Sequence, residues 1–181
     1  MALTATIYNF EIDLADHDRS VFESLALRVA RHPSESEEYL ITRVLAYCLE
    51  YDEGIEFSAG GVSSPDDPAI AIRDLTGRVR SWIEIGTPDP ERLHRAAKAA
   101  ERVAVYMHKD PSQYLARLSG ARLHRANDIE LWTIGRPLID GLAAALERRT
   151  SLGISVSERS LLVSIGDQSV EGDVVRHAIT E

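Results

Sequence analysis

The sequence predicts a protein of the α/β class, in the α+β sense, with β-strands toward both chain ends and helices between them. Polar and apolar residues alternate near the start, apolar residues recur every three or four positions in the middle, and short apolar runs separated by turns fill the tail. The chain has 181 residues, 44% of them hydrophobic and 27% charged, which is typical of one globular domain. We therefore predict a single domain over residues 1–181.

Two strands are predicted at the start of the chain. Residues Thr4 to Leu14 alternate between apolar and polar side chains, the pattern of a half-buried strand. A turn at Asp16 to Asp18 follows, and Leu25 to Val29 alternate again. The second segment favours a strand that pairs back as a hairpin, with a helix as the alternative because Ala and Leu are abundant.

The first helix is predicted to begin at a capping box. Ser34 to Glu37 has the pattern Ser-x-x-Glu, and Ile41, Leu45 and Cys48 then recur at helical spacing. A helix of roughly 15 residues fits the usual range of helix lengths. The acids Glu35 and Glu37 are explained by the helix N-terminus, where the macrodipole favours negative charge.

A β-hairpin is predicted around Thr76-Gly77. The apolar runs 70–72 and 82–85 flank this turn, so antiparallel pairing makes the numbers of facing residues add to 153. Glu84 then lies at the open end of the hairpin, inside an apolar strand. The predicted pairs are 69 with 84, 71 with 82 and 73 with 80.

The remaining elements follow from turn signals and apolar runs. In chain order they are a polar loop from Gly60 to Pro68, a helix from Thr87-Pro88-Asp89-Pro90 to Ala100, a strand at 103–106, a helix from Asp110-Pro111 to Gly120, a strand at 129–134, a helix at 137–148, and short tail strands near 154–156, 161–163 and 174–175.

Composition and missing motifs exclude several classes. The net charge of −9 means that nucleic acid would have to bind in a local basic cleft. Cys48 is the single cysteine, which excludes an internal disulfide and a thiolate zinc site. No phosphate loop, dinucleotide fingerprint or serine elbow occurs, and the six histidines show no ligand spacing. Without a signal-like start or a long apolar run, we expect a cytoplasmic protein with no membrane contact.

Two carboxylates are the candidate functional groups. Glu84 in an apolar strand is costly unless it is paired or metal-bound. Glu38 lies on the inward stripe of the first helix. Together they can serve as oxygen ligands for magnesium or manganese. The alternative is that each acid pairs with an arginine, and Arg43, Arg92 and Arg95 are the candidates.

Several segments resemble the YaeQ family of bacterial proteins. The resemblance extends nearly end to end, because the opening Ala5 to Tyr8 and the strand-rich tail also fit. It implies a core like that of PD-(D/E)XK nucleases: a helix, a mixed sheet with a hairpin, a helix and a further strand, with extra strands at the N- and C-terminal ends. The family has no settled activity, so the resemblance implies a fold and a site more than a reaction. The matching segments are Arg31-His32-Pro33-Ser34-Glu35, Asp74-Leu75-Thr76-Gly77, Trp82-Ile83-Glu84-Ile85-Gly86 and Pro88-Asp89.

The resemblance also implies roles for residues. In such nucleases a helix Glu, the Asp of a Pro-Asp pair and a second-strand acid bind metal, and a Lys follows two residues later. Glu38, Glu84 and Pro68 match the helix acid, the second-strand acid and the Pro. Two positions depart from the pattern, because Ala69 stands where the first-strand acid belongs and Gly86 stands where the Lys belongs.

Substitutes for the missing groups lie nearby in the sequence. Asp67 is close enough to residue 69 to act as a third metal ligand, whereas Asp74 lies about 17 Å away at the usual strand rise and is assigned to the turn. Arg92 and Arg95, one helix further on, are the candidate cationic catalytic groups.

Two functions follow, and both stay open at this point. The first is a degenerate or atypical metal-dependent nuclease, supported by two inward acids. The second is a non-enzymatic protein that reuses the nuclease fold to bind nucleic acid or a protein partner, supported by the acidic net charge and the two departures. We predict that Glu38 lies nearer to Glu84 than the neighbouring acids do. We also predict weak or absent cleavage, which Ala69→Asp with Gly86→Lys raises.

Overall fold

A computed structural model describes residues 4–58 and 66–179. Within these ranges the chain forms ten β-strands and four α-helices, together with a short 3-10 turn at Ala126–Asp128. In chain order the elements are β1 (Thr6–Asp16), β2 (Val21–Arg31), α1 (Glu37–Leu49), β3 (Ile55–Phe57), β4 (Ile70–Arg73), β5 (Val79–Ile85), α2 (Pro90–Ala99), β6 (Arg102–Met107), α3 (Ser112–Ser119), β7 (Glu130–Ile134), α4 (Arg136–Ala145), β8 (Arg149–Ser157), β9 (Ser160–Ile165) and β10 (Gln168–His177).

All ten strands belong to one mixed sheet. Their order is β2-β1-β8-β9-β10-β7-β6-β5-β4-β3. The pairs β1–β8, β5–β6 and β6–β7 are parallel, and the other neighbours are antiparallel. The predicted α+β class is confirmed. The parallel pair β1–β8 also joins the beginning of the chain to its last third, a contact that no local sequence pattern encodes.

The N-terminal hairpin is confirmed, and the helical alternative for its second strand is wrong. β1 and β2 pair antiparallel over their full length, with Ile12 opposite Leu25. In β1 the apolar side chains from Tyr8 to Leu14 are buried at alternate positions. β2 lies at the sheet edge and is mostly exposed, with Val29 as its buried residue. Alternation at period two therefore outweighed the helix propensity of Ala and Leu.

Helix α1 is the buried helix of the fold. Every residue from Leu40 to Leu49 is buried, and the helix packs on the sheet and on α4. The predicted capping box at Ser34 is wrong, because the N-cap is Ser36, whose hydroxyl accepts a hydrogen bond from the Tyr39 amide at 3.1 Å. The Ser34 hydroxyl instead bonds the ring of His32 at 2.6 Å.

The β4–β5 hairpin keeps the predicted register over most of its length. Ala71 lies opposite Trp82, and the numbers of these partners add to 153 as predicted. The rule fails at the tip, where Arg73 pairs with Val79 rather than with Arg80 because of a bulge. A bulge inserts one extra residue on one strand and shifts the register beyond it.

The predicted turn role of Asp74 is confirmed. Its Oδ1 accepts hydrogen bonds from the amides of Thr76 at 2.9 Å and Arg78 at 3.0 Å. Gly77 has a φ of +85°, which a residue without a side chain adopts without strain. Asp74 is thus committed to the tip of the hairpin.

The core forms two clusters on opposite faces of the central strands. The larger one includes α1, α4 and side chains such as Ile83 and Ile85 of β5. The smaller one lies under α2 and α3 and includes Trp82 and Val105. Because side chains alternate along a strand, Glu84 lies on the Trp82 face, away from the body of α1.

The other predicted helices and strands are confirmed with small shifts at their ends. Helix α4 ends at Ala145, three residues before the predicted end, because β8 begins at Arg149. The short strand β3, which pairs with β4, was missed. Residues 60–65 of the predicted loop lie outside the described residues. In the described ranges, no helix has the length and apolar character needed to span a bilayer.

Candidate functional site

A cavity of about 580 Å³, the first cavity, opens beside the ends of β5 and β6. Its walls come from the start of α1, residue 69, residues 84–88, α2 and residues 107–109. Ligands of sheet proteins bind preferentially at the carboxyl ends of parallel strands, and β5 and β6 are such a pair. The volume also lies in the range of small-molecule sites. The first cavity is therefore the candidate site.

Glu84 lies in the wall of the first cavity and is nearly fully buried. Its Oε1 accepts hydrogen bonds from the indole N–H of Trp82 at 2.6 Å and from Nε–H of Arg92 at 2.9 Å. Burial raises the pKa of Glu84, and the bonds from Arg92 and Trp82 oppose this shift. Of the two alternatives for this acid, the structure shows the arginine pair.

Arg92 connects three parts of the site. Besides Glu84, it donates a hydrogen bond to the backbone carbonyl of Asp67 at 2.6 Å. Its guanidinium lies 6.0 Å from the ring centroid of Trp82. Asp67 thus reaches the site through its carbonyl group. Through Arg92, α2 is tied both to the segment that leads into β4 and to the end of β5.

Glu35 is a site residue that the sequence interpretation missed. It precedes α1, is buried, and lines the first cavity. Its carboxylate accepts bonds from Nη2 of Arg43 at 3.0 Å and from the His32 amide at 3.3 Å. Burial raises its pKa, and Arg43 opposes the rise. The sequence did contain a signal for this pair, which is Arg43 within the largely apolar helix α1. A buried guanidinium requires a nearby acid.

Glu38 is half-buried in the first turn of α1 and is not among the described residues that line the first cavity. Its charge acts on the imidazole of His108, whose pKa it raises against larger opposing effects. Glu35 rather than Glu38 shares the cavity wall with Glu84. That Glu38 lies nearer to Glu84 than the neighbouring acids do stays a prediction.

Arg95 is exposed on the outer side of α2. It borders a separate shallow depression together with His94 and Arg122. Of the two predicted arginines, the structure brings Arg92 to Glu84 and leaves Arg95 away from it.

His108 and Lys109 line the first cavity, and the sequence interpretation missed both. They directly follow β6, whose carboxyl end lies beside that of β5. Nδ1 of His108 is buried without a hydrogen-bond partner among the described residues. Burial lowers the pKa of His108, and the charge of Lys109 lowers it further. The two residues bring a neutral imidazole and an ammonium group to the cavity.

Tyr39 and Gly86 also line the first cavity. Burial, with the charges of Glu35 and Glu84, raises the pKa of the Tyr39 phenol to about 12. Gly86 has a φ of +84°, and a Cβ atom there would lie 3.5 Å from the Tyr39 ring. The position where the nuclease pattern has Lys therefore requires a backbone conformation that side-chain-bearing residues rarely adopt.

The residues of the first cavity do not fit a divalent cation. Across residues 4–58 and 66–179, no three His, Cys, Asp or Glu side chains lie close enough together to hold a metal ion. Ala69 offers no ligand, and both Glu35 and Glu84 are engaged by arginines. Magnesium and manganese bind through several oxygen ligands, which this arrangement does not supply.

Comparison with known proteins identifies the family to which the chain is similar. A family model described as "YaeQ protein" matches residues 1–174. The chain is 29% identical to "Uncharacterized protein YaeQ" of Salmonella typhi and 28% identical to that of Escherichia coli (strain K12), covering 94% of each chain in both cases. It resembles the crystal structure of YaeQ protein from Pseudomonas syringae, with a TM-score of 0.86, 29% identity and 95% of each chain covered. It also has the fold of YaeQ protein from Xanthomonas axonopodis pv. citri, with a TM-score of 0.82, 24% identity, and 98% and 100% covered.

Proposed function

This chain belongs to the YaeQ protein family, and we propose that it is a binding protein on a nuclease-like framework. In this proposal the first cavity holds a phosphate group of a nucleic acid and does not cleave it at an appreciable rate. The framework is supported by the order of elements. Helix α1, the β4–β5 hairpin, α2 and the parallel strand β6 follow one another as in the nuclease core that the family resemblance implies.

The observation that carries the proposal is the pairing of each cavity carboxylate with its own arginine. Arg43 neutralises Glu35, and Arg92 neutralises Glu84. A metal ion would have to displace Arg92, which would leave a guanidinium beside the cation at a cost of several kcal/mol. Because both ion pairs are formed, the first cavity disfavours the binding of a metal cation.

The charge that remains in the first cavity is positive. Lys109 is exposed and makes no ion pair with any residue of the described ranges. With both carboxylates paired, its ammonium group favours an anion, and the half-buried imidazole of His108 offers a further polar group. Phosphate groups of nucleic acids are the anions that the nuclease-like framework suggests.

A second candidate is weak metal-dependent phosphodiester hydrolysis. It is favoured by Lys109, which lines the same wall as Glu84 and would replace the lysine missing at Gly86. Glu84, Glu38 and Asp67 would have to move closer together to hold a magnesium or manganese ion, and Arg92 would be released to the phosphate. This function requires the Glu84–Arg92 pair to open.

Binding and cleavage of a labelled single-stranded oligonucleotide distinguish the two functions. We expect binding to the native chain at low salt, at least tenfold weaker binding by Lys109→Ala, and no cleavage with magnesium or manganese. We expect Ala69→Asp to raise cleavage above background, because it adds a carboxylate beside the end of β5. Ala69→Asn is the matched control, since it adds similar volume without charge.

Ala69→Asp is made alone because the positive φ of Gly86 makes Gly86→Lys a strained substitution. Robust cleavage by the native chain, abolished by Glu84→Gln at unchanged stability, would establish the second candidate instead. If the native chain neither binds nor cleaves, and Ala69→Asp is also inert, the nuclease-like proposal fails.

A further inference from the structure

A second cavity, of about 300 Å³, lies at the opposite end of α1. The start of α1 borders the first cavity, whereas Leu49 and Glu50 at its end border the second. The walls of the second cavity carry four guanidinium groups. They belong to Arg19, Arg80, Arg102 and Arg159.

Arg102 is fully engaged by acids. Its two terminal nitrogens donate to the two carboxylate oxygens of Glu50, at 2.5 Å and 2.9 Å, and its Nε–H donates to Glu130. The Glu50 carboxylate also accepts a bond from the Tyr106 hydroxyl. A bidentate guanidinium–carboxylate pair leaves no N–H for a ligand on that edge. Arg102 is therefore part of the wall.

Arg19 and Arg80 are also paired. Nε–H of Arg19 donates to Asp16 at 2.8 Å, and its terminal nitrogens donate to two carbonyl groups at the end of α1. Nη2 of Arg80 donates to Asp52 at 3.3 Å, in an exposed pair at the rim. Three of the four arginines are thus paired with acids, and Arg102 is paired with two of them.

Arg159 differs from the other three. Its guanidinium carbon lies 4.2 Å from the ring centroid of Trp132, and it forms no ion pair with a residue in the described part of the chain. Stacking uses the face of a guanidinium and leaves its N–H groups, which lie in the plane, available for an anion. The backbone N–H of Arg159 and, to a smaller extent, its charge lower the pKa of the Asp18 carboxyl group, which is exposed to solvent.

The backbone of Arg159 is held in an unusual conformation. Glu158 and Arg159 have φ values of +50° and +62°, in the left-handed region that favours glycine. The Asp18 carboxylate accepts both of their amide N–H groups, at 2.7 Å and 3.0 Å, and the Val174 amide donates to the Arg159 carbonyl at 2.8 Å. These long-range hydrogen bonds stabilise the strained backbone. In this conformation the guanidinium group of Arg159 lies over Trp132 at the cavity wall.

Trp132 supplies a second and independent observation. Its side chain lines the second cavity and the residue is only 5% exposed, yet its indole N–H has no hydrogen-bond partner among the described residues. Buried donors are nearly always satisfied, so an orphaned one points to a missing acceptor. The Ser81 hydroxyl lines the same wall.

From these features we infer that the second cavity binds one small oxyanion, a phosphate group, through Arg159 and Trp132. The anion pairs with the Arg159 guanidinium and accepts from the indole N–H. A volume of about 300 Å³ is at the lower end of ligand sites, which suits one phosphate group better than a whole nucleotide. The inference is independent of the function proposed for the first cavity.

The test follows the two indole N–H resonances by NMR, because the chain has two tryptophans. The native protein is titrated with inorganic phosphate and, separately, with a single-stranded oligothymidylate, against sodium chloride at matched ionic strength. We expect a saturable shift of the Trp132 signal, whereas the Trp82 signal reports separately on the first cavity because the Trp82 N–H is bonded to Glu84. If inorganic phosphate shifts the Trp132 signal, free phosphate is a sufficient ligand. If only the oligonucleotide shifts it, the ligand is a phosphate group of the nucleic-acid backbone.

Arg159→Asn is the decisive variant, because Asn tolerates the left-handed backbone and lacks the charge. It should weaken phosphate binding at least tenfold. Arg176→Ala is the matched control, since Arg176 lies 5.7 Å from the same ring without lining the cavity, and it should bind within twofold of the native chain. Lys109→Ala should leave the response of the Trp132 signal to inorganic phosphate unchanged.

The inference is overturned if neither phosphate source shifts the Trp132 signal saturably, or if Arg159→Asn binds as the native chain does. Equal weakening by Arg176→Ala would show a general charge effect and would overturn it as well. Loss of the Trp132 response to inorganic phosphate in Lys109→Ala would assign the phosphate to the first cavity and refute the second site.

Discussion

Glu35 and Glu84 each pair with an arginine that lies eight residues further along the chain, yet the two pairs differ in their access to solvent. Both carboxylates are buried, and burial raises the pKa of each. The side chain of Arg43 is 4% exposed, whereas that of Arg92 is 21% exposed. The difference lies in the arginines rather than in the acids.

The surroundings of the two arginines explain this difference. Arg43 projects from the buried helix α1, donates to the carbonyl of Ala30 in β2 at 2.8 Å, and lies 5.6 Å from the Phe57 ring centroid. Arg92 belongs to α2, whose other face is in solvent, and it faces the first cavity. The first pair therefore serves the fold, and the second is the one that a ligand can open.

Removing Arg43 should have the largest effect on stability. Arg43→Met leaves the buried Glu35 carboxylate without its cation, and we expect the free energy of unfolding to fall by about 3–5 kcal/mol in urea denaturation. The double variant Glu35→Gln with Arg43→Met should recover much of this loss, because no buried charge is left unpaired. A loss below about 1 kcal/mol for the single variant would contradict a structural role for this pair.

Removing Arg92 should cost less. Arg92→Met should lower the free energy of unfolding by about 1–3 kcal/mol, since Glu84 keeps its bond from Trp82 and lies beside the cavity. A double-mutant cycle with Glu84→Gln measures the coupling between Glu84 and Arg92 directly. A cost equal to that of Arg43→Met would remove the distinction between the two pairs.

The pH dependence of stability isolates Glu84. Its pKa in the folded protein is raised above the ordinary value of 4.5, so the folded state holds the proton more tightly than the unfolded state does. The contribution of Glu84 to stability is therefore fully present below pH 4.5 and is lost as pH rises through the folded pKa. The stability of the native chain relative to Glu84→Gln should fall over that interval, measured by urea denaturation at successive pH values. A rise in this relative stability with pH would instead mean that Arg92 lowers the pKa of Glu84 by more than burial raises it.

Glu38 should have the smallest effect of the three acids. It is half-buried on the first turn of α1, where the macrodipole favours an acid. Glu38→Gln should change the free energy of unfolding by no more than about 0.5 kcal/mol. A larger loss, accompanied by a changed titration of His108 in NMR spectra, would show that Glu38 has a partner in the first cavity.

Much of the fold could be predicted because periodicity is a local property. The alternation in β1 and the 3.6-residue spacing in α1 identified these elements, and the turn residues around Gly77 set the hairpin register up to the bulge at Arg73. The helix cap was misplaced by two residues, since Ser34 and Ser36 both satisfy the cap preference and only one of them faces the helix amides.

Part of the candidate site was also available from the sequence. An acid inside an apolar strand pointed to Glu84, and an arginine pair was one of the two alternatives stated for it. Glu35 was missed because its position before a helix had a sufficient local explanation. His108 and Lys109 were missed because nothing in their own segment shows that β6 runs parallel to β5.

By itself, the sequence determined the class of fold, most of its elements, and the fact that a carboxylate is buried near the end of β5. The tertiary structure alone decided which arginine pairs with that carboxylate, which side chains share the first cavity, and that Arg159 stacks on Trp132 from another part of the chain. The physical reason is that periodicity records which side of an element faces inward. The neighbours found there depend on sheet order and on contacts between residues far apart in the chain.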